Sequence, residues 1–532
     1  MATSPFAFLH PQLGSVQGVH TAGNVDSFFG IKYATIAARF EDPVLFCAKD
    51  PDATKLGPPA PQPPGGCAAE LAYIGQQMNL PDIESKPDEF ECLNLNITKP
   101  AGDYGSPLPV FVWTHGGGVV VGANCWPQFD MTKLIELSIE VGYPVIGVAL
   151  NYRLGPLASL TSTKLADAGY DGNYSFKDVI AGYEWTNKFI AGFGGDPDNI
   201  TGIGESAGSL LTSSLLQLNA PLFTRLIAFS GQPAMNPPAP LSTHDRIYQR
   251  VLKEFDISEQ LTLEEQLSAL RSIPSEDFTL RLLPIVSVPF AETSLLRYHN
   301  IKEISNSQLD VLPGHKWCKK ALYSDCKHDG TIISRWLKPR VSGINASFLQ
   351  HVKTSFGVEP EGASLIVSLY DIKMDDEDEV AFSKIENFVN DVMFYAPNIL
   401  TARGWKDRNP ACVIHVNVTD AWNDAYVKNG TPHTFELAML FQNLCQEMDA
   451  TTAASAKVFA ADIIKFINGA DSYPSFSNSQ DSETVIIYDE VNSPKILPKG
   501  DVTERRSAIF ELIDKVDLEQ LVNIVLTFVF PS

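Results

Sequence analysis

The sequence predicts an α/β protein whose core is a mostly parallel sheet flanked by helices. Apolar runs of strand length occur at Val110 to Trp113 and at Tyr143 to Leu150. A stretch with helical apolar spacing follows at residues 176–191. Strands that alternate with helices are typical of parallel strands joined by crossover connections. The chain has 532 residues and is 44% hydrophobic, so it can bury a large core.

Two segments depart from this alternation. Residues 14–34 place apolar clusters between glycines, which predicts N-terminal antiparallel strands. Residues 235–320 begin with prolines and continue with amphipathic stretches, which predicts a helical insertion over the C-terminal edge of the sheet. We expect one domain over residues 1–532, with residues 67–92 as a possible lid loop.

The net charge and the lengths of the apolar runs limit the kinds of molecule and membrane with which the chain can associate. The formal net charge of −23 argues against nucleic acid, which the chain would repel. No apolar run approaches 18 residues, so we expect no integral membrane segment. The first 18 residues lack the features of a signal peptide, which favours a cytoplasmic location, or secretion if a leader had been trimmed. The oligomeric state stays open.

A possible nucleophile lies in the segment Thr201 to Ser209 (TGIGESAGS). It contains the pattern G-x-S-x-G around Ser206, preceded by a short strand pattern and followed by an apolar helical start. In a nucleophile elbow the serine occupies a sharp turn between a strand and a helix, with small residues on both sides. The segment therefore predicts Ser206 as a nucleophile.

A serine nucleophile needs a base and a carboxylate that orients the base, and in this arrangement both follow the serine along the chain. His433 lies in a loop after a late apolar strand, whereas His415 lies inside that strand. We therefore predict His433 as the base. Asp325 and Asp329 are both possible acids, although an ordinary Asp-Gly turn explains the local sequence of Asp329 equally well.

The segment His115 to Gly118 (HGGG) follows the apolar strand that ends at Trp113. Backbone N–H groups of such a loop can stabilise a developing oxyanion, so we predict Gly117 and Gly118 as donors together with Ala207. The rival interpretation is a dinucleotide-binding loop, but the third glycine of that fingerprint and an acidic ribose partner are missing. We expect no cofactor and no metal, because the eight cysteines have no zinc-site spacing.

These motifs together resemble the type-B carboxylesterase/lipase family of the α/β-hydrolase fold, which includes cholinesterases and fungal lipases; their style is closest to fungal members. The resemblance runs from about residue 14 to residue 445. Besides the HGGG and GESAG segments, it rests on FGI at 29–31, CLNLN at 92–96, NYRLG at 151–155, GNY at 172–174 and FGGDP at 193–197.

The resemblance implies further assignments. The family's acid usually lies in an Asp-Glu-Gly-Thr segment, and the matching residues His328 to Thr331 put Asp329 at that position. Aspartate is one methylene shorter than the usual glutamate. Family members typically link the cysteines that match Cys67 and Cys92, which implies a possible disulfide there; two free buried thiols are the alternative, favoured if the protein stays in a reducing cytosol. Val119 replaces the aromatic residue that often follows the glycines, which implies a reshaped pocket.

The resulting hypothesis is a serine carboxylic-ester hydrolase that acts through an acyl-enzyme on an uncharged small-molecule ester. One alternative is an acyltransferase or a cyclising enzyme of a biosynthetic pathway, which would use the same residues. Another is a non-catalytic cholinesterase-like binding protein, which Ser206 argues against because such relatives tend to lose the nucleophile.

Overall fold

The structure is a computed structural model. It describes the following residues: 4–21, 23–74, 86–286, 290–306, 311–357, 360–405, 410–419, 422, 430–470, 473–476, 483–490, 493–502 and 505–530.

The described chain forms strands β1 to β14. Their bounds are, in order, Ser4–His10, Gly14–Thr21, Val25–Lys32, Ala34–Thr35, Val44–Leu45, Asn94–Pro100, Leu108–Thr114, Ile146–Leu150, Gly195–Glu205, Arg225–Phe229, Lys320–Cys326, Ala411–Val416, Thr484–Tyr488 and Lys495–Pro498.

Helices α1 to α20 accompany them. Their bounds are, in order, Gly66–Tyr73, Thr132–Glu140, Pro156–Ser159, Thr163–Asp167, Tyr174–Phe189, Ala207–Ser214, Leu241–Glu254, Leu263–Ser272, Ser275–Leu282, Ile301–Ile304, Gly314–Trp317, Thr331–Leu337, Ile344–Phe356, Glu361–Leu369, Asp378–Asn390, Ala396–Arg403, Phe435–Phe441, Ala450–Ile467, Ala508–Lys515 and Leu518–Val529.

Twelve of these strands form one mixed sheet in the order β1-β2-β3-β6-β8-β7-β9-β10-β11-β12-β13-β14. The strands from β8 to β13 in this order are parallel. The strands at both edges are antiparallel, including the N-terminal β1, β2 and β3. The predicted α/β class, with a mostly parallel mixed sheet and N-terminal antiparallel strands, is confirmed.

The sheet carries an apolar core on both faces. Along β7, Val110 and Val112 belong to one buried cluster, whereas Phe111 and Trp113 belong to another. Successive strand residues point to opposite faces, so the two clusters lie on opposite sides of the sheet. This explains why the sequence of β7 is a continuous apolar run rather than an alternating one.

Parallel register brings the ends of three strands to one edge of the sheet. Glu205 at the end of β9 pairs with Phe229 of β10, and Phe229 pairs with Ser324 of β11. Residues that follow these strands therefore lie close together, although the strand ends at Glu205 and Ser324 are more than a hundred positions apart in the sequence. The site described below is built at this edge.

The described residues of the range 235–320 include the helices α7 to α11. Helices α7, α8 and α9 share a buried apolar cluster that includes Val251, Leu270 and Phe278. Arg39 links this unit to the chain near residue 89, because its guanidinium bonds to both carboxylate oxygens of Glu89 and to the carbonyl of Leu270. The covering of the catalytic edge by this insertion stays a prediction.

In the range 67–92, α1 covers the first residues, and residues 75–85 lie outside the described part of the chain. A lid function of this loop therefore stays a prediction as well. Among the described helices, none has both the length and the apolar character that crossing a bilayer requires.

The Cys67–Cys92 disulfide that the resemblance implied is absent from the structure. Both cysteines are buried and free. Cys67 Sγ donates a hydrogen bond to Gln128 Oε1 over 3.1 Å, whereas Cys92 Sγ donates to the carbonyl of Glu89 over 3.4 Å. The expectation was wrong because each thiol is turned toward a different acceptor. Burial raises the pKa of Cys67 to about 12, which keeps this thiol protonated and unreactive.

Candidate active site

Ser206 occupies the predicted sharp turn. Strand β9 ends at Glu205 and α6 begins at Ala207, so Ser206 is the single residue between them. Its backbone has φ 53° and ψ −122°, a region that L-residues rarely adopt. The backbone N–H of Ser206 donates to the carbonyl of Phe229 over 2.9 Å, which holds the turn against β10. Strained backbone of this kind is common at functional sites.

The glycines of the GESAG segment are required by close backbone packing. A Cβ atom at Gly208 would lie 2.0 Å from the carbonyl oxygen of Thr114 in β7. A Cβ atom at Gly204 would lie 2.3 Å from the carbonyl oxygen of Gly208 itself. The start of α6 can therefore approach the sheet only with glycine at these positions, and this approach fixes where Ser206 lies.

Two loops at the same edge bring Asp329 and His433 together. The loop after β11 and the loop that follows β12 bond directly, because the backbone N–H of His328 donates to the carbonyl of Thr431 over 2.9 Å. Nδ1 of His433 lies 2.7 Å from Oδ1 of Asp329. Since an ionised carboxylate only accepts, Nδ1 carries the proton. Both side chains are buried.

The second carboxylate oxygen of Asp329 is also occupied. Oδ2 accepts from the backbone N–H of Cys326 over 2.8 Å and from Oγ of Ser230 over 3.1 Å. These bonds fix the carboxylate, and the shorter aspartate side chain reaches His433. Burial raises the pKa of Asp329, and the hydrogen bond from His433 opposes that rise.

The other possible acid, Asp325, has different partners. Its Oδ2 lies 2.8 Å from Nδ1 of His415, and its Oδ1 accepts from Nε of Arg505 over 2.8 Å. All three side chains are buried. Asp325 therefore belongs to a separate cluster that joins β11, β12 and the C-terminal segment.

A further carboxylate faces the other nitrogen of His433. Oε1 of Glu205 lies 3.0 Å from Nε2, within ion-pair distance but not aligned for a hydrogen bond. Glu205 is 1% exposed, and neither of its carboxylate oxygens has a hydrogen-bond partner in the described part of the chain. Within the described part of the chain, the Ser206 hydroxyl makes no hydrogen bond to His433. In this structure Nε2 of His433 therefore contacts Glu205, the residue before Ser206, rather than Ser206 itself.

Two more buried acids complete an acidic environment. Burial and the nearby Glu205 raise the pKa of Glu70 to about 8. Burial, together with Asp329 and Glu205, raises the pKa of Glu436 to about 8. Both side chains therefore hold a proton for much of the time at neutral pH, which limits the negative charge around His433.

The HGGG loop lies beside the elbow. A Cβ atom at Gly116 would lie 3.2 Å from Cβ of Ser206, so the loop passes next to the nucleophile. Gly117 has φ +91° and Gly118 has φ +65°. In the described part of the chain, the N–H groups of Gly117, Gly118 and Ala207 donate no hydrogen bond. These three N–H groups are therefore free of other acceptors within the described residues, and their role as oxyanion donors stays a prediction.

Side chains outside the motif hold this loop. Tyr152 donates from its hydroxyl to the carbonyl of His115 over 2.7 Å and stacks on the imidazole of His115. The amide of Gln62 makes two hydrogen bonds with the backbone of Gly122, each 2.9 Å long. The loop that carries the three N–H groups is therefore fixed at both ends.

Sequence reasoning missed five residues of this site: Gln62, Glu70, Tyr152, Ser230 and Glu436. A signal was present for Ser230, which directly follows the apolar strand β10 at the catalytic edge, and for Tyr152, which lies in the NYRLG motif. Gln62, Glu70 and Glu436 carry no local signal.

One group of side chains in the described chain has ligand atoms close enough for a metal ion. Atoms of Cys326, Asp329 and Glu436 lie within 4.8 Å of one another. Cys326 Sγ donates to Glu436 Oε2, and Ser230 Oγ bonds to both acids. These internal hydrogen bonds account for the cluster.

Comparisons with known proteins identify the family of the chain. A family model described as the carboxylesterase family matches residues 7–469. The chain is 34% identical to lipase 3 of Yarrowia lipolytica over 241 residues, which cover 43% of the chain and 47% of the lipase. It is 35% identical to the para-nitrobenzyl esterase of Bacillus subtilis over 233 residues, which cover 41% of the chain and 42% of the esterase. These alignments span about half the length of the relatives.

The solved structures support the fold. A para-nitrobenzyl esterase structure superposes with a TM-score of 0.71 at 23% identity, covering 94% of the chain and 99% of the esterase. A carboxylesterase of Geobacillus stearothermophilus gives a TM-score of 0.72 at 22% identity, with the same coverage. The fold is therefore the α/β-hydrolase fold. With a family match over most of its length, the chain belongs to the carboxylesterase family.

Proposed function

We propose that the protein is a serine carboxylic-ester hydrolase that acts through an acyl-enzyme intermediate. The observation that carries the proposal is the contact between Nδ1 of His433 and Oδ1 of Asp329, at 2.7 Å and at the sheet edge where Ser206 occupies the elbow. The relatives named as lipases and esterases are consistent with this activity.

In the proposed reaction, Oγ of Ser206 attacks the carbonyl carbon of the ester while Nε2 of His433 accepts the hydroxyl proton. Asp329 keeps the imidazole in the tautomer whose Nε2 is free to accept. The carbonyl oxygen takes the electron pair, and the N–H groups of Gly117, Gly118 and Ala207 stabilise its charge. The alcohol leaves with the proton from His433, and a water molecule then hydrolyses the acyl-enzyme by the same steps.

The buried carboxylate of Glu205 favours an uncharged ester as substrate. Its Oε1 lies 3.0 Å from Nε2 of His433, and it would repel a negative charge on the substrate in such a weakly screened site. The carboxylic acid product ionises in water, so the same repulsion would help it to leave.

The experiment is turnover of nitrophenyl esters from acetate to palmitate. The unmodified protein and Ser206→Ala are compared, with Ser364→Ala as a matched control. Ser364 is exposed in α14, and its hydroxyl bonds only to the carbonyl of Pro360. We expect turnover by the parent and by Ser364→Ala, and a loss of at least about a thousandfold in Ser206→Ala. Equal turnover by all three proteins would contradict the proposal.

A further inference from the structure

A π-helical turn joins α15 to α16. It spans Asp391–Tyr395, and the backbone N–H of Ala396 donates to the carbonyl of Asp391, five residues earlier rather than four. The sequence accounts for this turn, because Pro397 has no N–H and its ring would clash with the carbonyl of Met393 in a regular α-helix. Such turns are rare inside α-helices, and they frequently occur at functional sites.

One side chain of this π turn packs against the proposed base. The ring centroids of Phe394 and His433 lie 5.2 Å apart, and the two ring planes are tilted by 57°. Both side chains are buried. The hydrogen bond to Asp329 fixes Nδ1 at one edge of the imidazole, whereas Phe394 contacts the ring itself. This aromatic contact therefore restricts rotation of the imidazole and keeps water away from it.

The residue before the π turn holds the loop of the proposed acid. Oδ1 of Asn390 accepts from the backbone N–H of Gly330 over 3.0 Å, and Gly330 directly follows Asp329. A Cβ atom at Gly330 would lie 3.2 Å from Cβ of Asn390, so the loop packs closely against the end of α15. Asn390 and Phe394 are four residues apart, and residues at this spacing are neighbours on a helix surface. Both can therefore contact the acid and the base at the same time.

An ion pair fixes the π turn to the rest of the fold. Nε and Nη2 of Arg506 donate to the two carboxylate oxygens of Asp391 over 2.7 and 2.9 Å. The hydroxyl of Tyr370, at the end of α14, donates to Oδ2 of the same carboxylate over 2.9 Å. Asp391 is buried, and a bidentate pair fixes the orientation of a carboxylate as well as its position. The π turn is therefore tied to α14 and to the segment before α19.

We infer that the π turn positions the proposed acid and base, with Phe394 holding the imidazole of His433. In the same way, Asn390 holds the loop that carries Asp329. Both act through another side chain, so they are positioning residues rather than catalytic ones. The inference rests on the proposed ester hydrolysis, in which Nε2 must accept the proton of Ser206. A misplacement of about 1 Å at such a site can lower the rate by about a hundredfold.

The kinetic test is a double-mutant cycle with nitrophenyl acetate. We expect kcat to fall by about tenfold in Phe394→Ala while KM changes by less than about threefold, because the contact is with the base and not with the ester. In Asp329→Asn the imidazole is already released at its other edge, so adding Phe394→Ala should lower kcat by less than about twofold. An unchanged kcat in Phe394→Ala, or the same tenfold loss in both backgrounds, would overturn the inference.

Two further variants separate positioning from stability. Phe348→Ala is the matched control, because it removes an equally buried helix ring that packs against Phe388 and Phe528. We expect it to change kcat by less than about twofold. Phe394→Leu keeps an apolar contact with the imidazole and is more easily accommodated than alanine. It should lower kcat by about threefold in the parent and leave it unchanged in Asp329→Asn. A larger loss in Phe348→Ala than in Phe394→Leu would contradict the positioning role.

A spectroscopic measurement separates this inference from the proposed function, because it needs no turnover. The proton on Nδ1 of His433 lies in a 2.7 Å hydrogen bond to a carboxylate, so it should give a low-field NMR resonance that His433→Ala removes. We expect exchange with water to broaden this resonance in Phe394→Ala and in Asn390→Ala, but not in Phe348→Ala. Broadening in these two variants would support the positioning role even if the esters were not hydrolysed. An unchanged resonance in both would overturn that role while leaving the ester hydrolysis intact.

Discussion

Nε2 of His433 lies 3.0 Å from Oε1 of Glu205, the residue immediately before the proposed nucleophile. The nitrogen that must accept the proton of Ser206 therefore contacts a buried carboxylate in the resting structure. Burial lowers the pKa of His433, but the charge of Glu205 and the hydrogen bond to Asp329 outweigh it and raise that pKa well above its ordinary value.

This contact predicts an unusual pH dependence. Catalysis needs neutral Nε2, so activity is lost as the pH falls through the pKa of His433, and a raised pKa moves that loss to higher pH. Removing the charge in Glu205→Gln lowers the pKa, so the acid limb of kcat/KM should move to lower pH by about one unit. Glu205→Asp keeps the charge and is the control. An unchanged acid limb in Glu205→Gln would show that the contact does not govern the titration.

The contact with Asp329 predicts a large loss in Asp329→Asn. The amide can no longer act as a pure acceptor, so the imidazole tautomer is no longer fixed, and kcat should fall by about 10³ to 10⁴. Asp329→Glu restores the charge with one extra methylene in a packed site and should retain more activity than Asp329→Asn. Steady-state kinetics at one pH compare the three proteins. Equal kcat values for Asp329→Asn and the parent would exclude the assigned role.

The glycine loop offers a matched pair of variants. In Gly117→Ala the new methyl would lie 2.1 Å from the carbonyl oxygen of Val121. The loop must therefore shift, and its N–H groups should no longer point at the oxyanion. In Gly118→Ala the methyl meets no atom within 4 Å, and only the left-handed backbone disfavours it. We expect kcat to fall by about 10² or more in Gly117→Ala and clearly less in Gly118→Ala. The reverse order would contradict this account of the loop.

The buried ion pair between Arg505 and Asp325 predicts an effect on the free energy of unfolding. In Arg505→Met the buried carboxylate of Asp325 loses its guanidinium partner, which should cost about 3 to 5 kcal/mol in the free energy of unfolding. Burial raises the pKa of Asp325, but Arg505 and His415 outweigh this effect and hold that pKa below its ordinary value. The stabilisation is therefore present above about pH 4 and lost as the pH falls through the lowered pKa.

Thermal unfolding between pH 3 and pH 7 measures this effect. The difference in the free energy of unfolding between the parent and Arg505→Met should shrink as the pH falls toward 3. Replacing both partners by apolar residues, in Arg505→Met with Asp325→Leu, should recover part of the loss, because no unpaired charge remains. A single variant as stable as the parent at pH 7 would contradict the prediction.

The sequence allowed part of the site to be predicted because some chemistry is local. A serine between a strand and a helix needs glycines within two positions, so the elbow at Ser206 is visible in a short segment. The loop at Gly117 follows its strand directly. The contact between His433 and Asp329 joins residues that are 104 positions apart in the sequence. It was predicted from chain order and the family resemblance.

Other relationships had no local trace. Burial and the nearby Glu205 raise the pKa values of Glu70 in α1 and Glu436 in α17, and Glu205 is near both only because the fold brings distant parts of the sequence together. The family resemblance misled in one case. Family members typically link the cysteines that match Cys67 and Cys92, but the direction in which each thiol points here depends on contacts with Gln128 and Glu89 that the motifs do not encode.

The most direct test of the central claim is to trap the acyl-enzyme. A nitrophenyl ester is mixed rapidly with the protein, the reaction is quenched with acid, and the digested peptides are weighed by mass spectrometry. We predict an early release of about one nitrophenol per protein molecule and an acyl group on the peptide that contains Ser206. Ester turnover with no acyl group on that peptide, or with the group on another residue, would contradict the account.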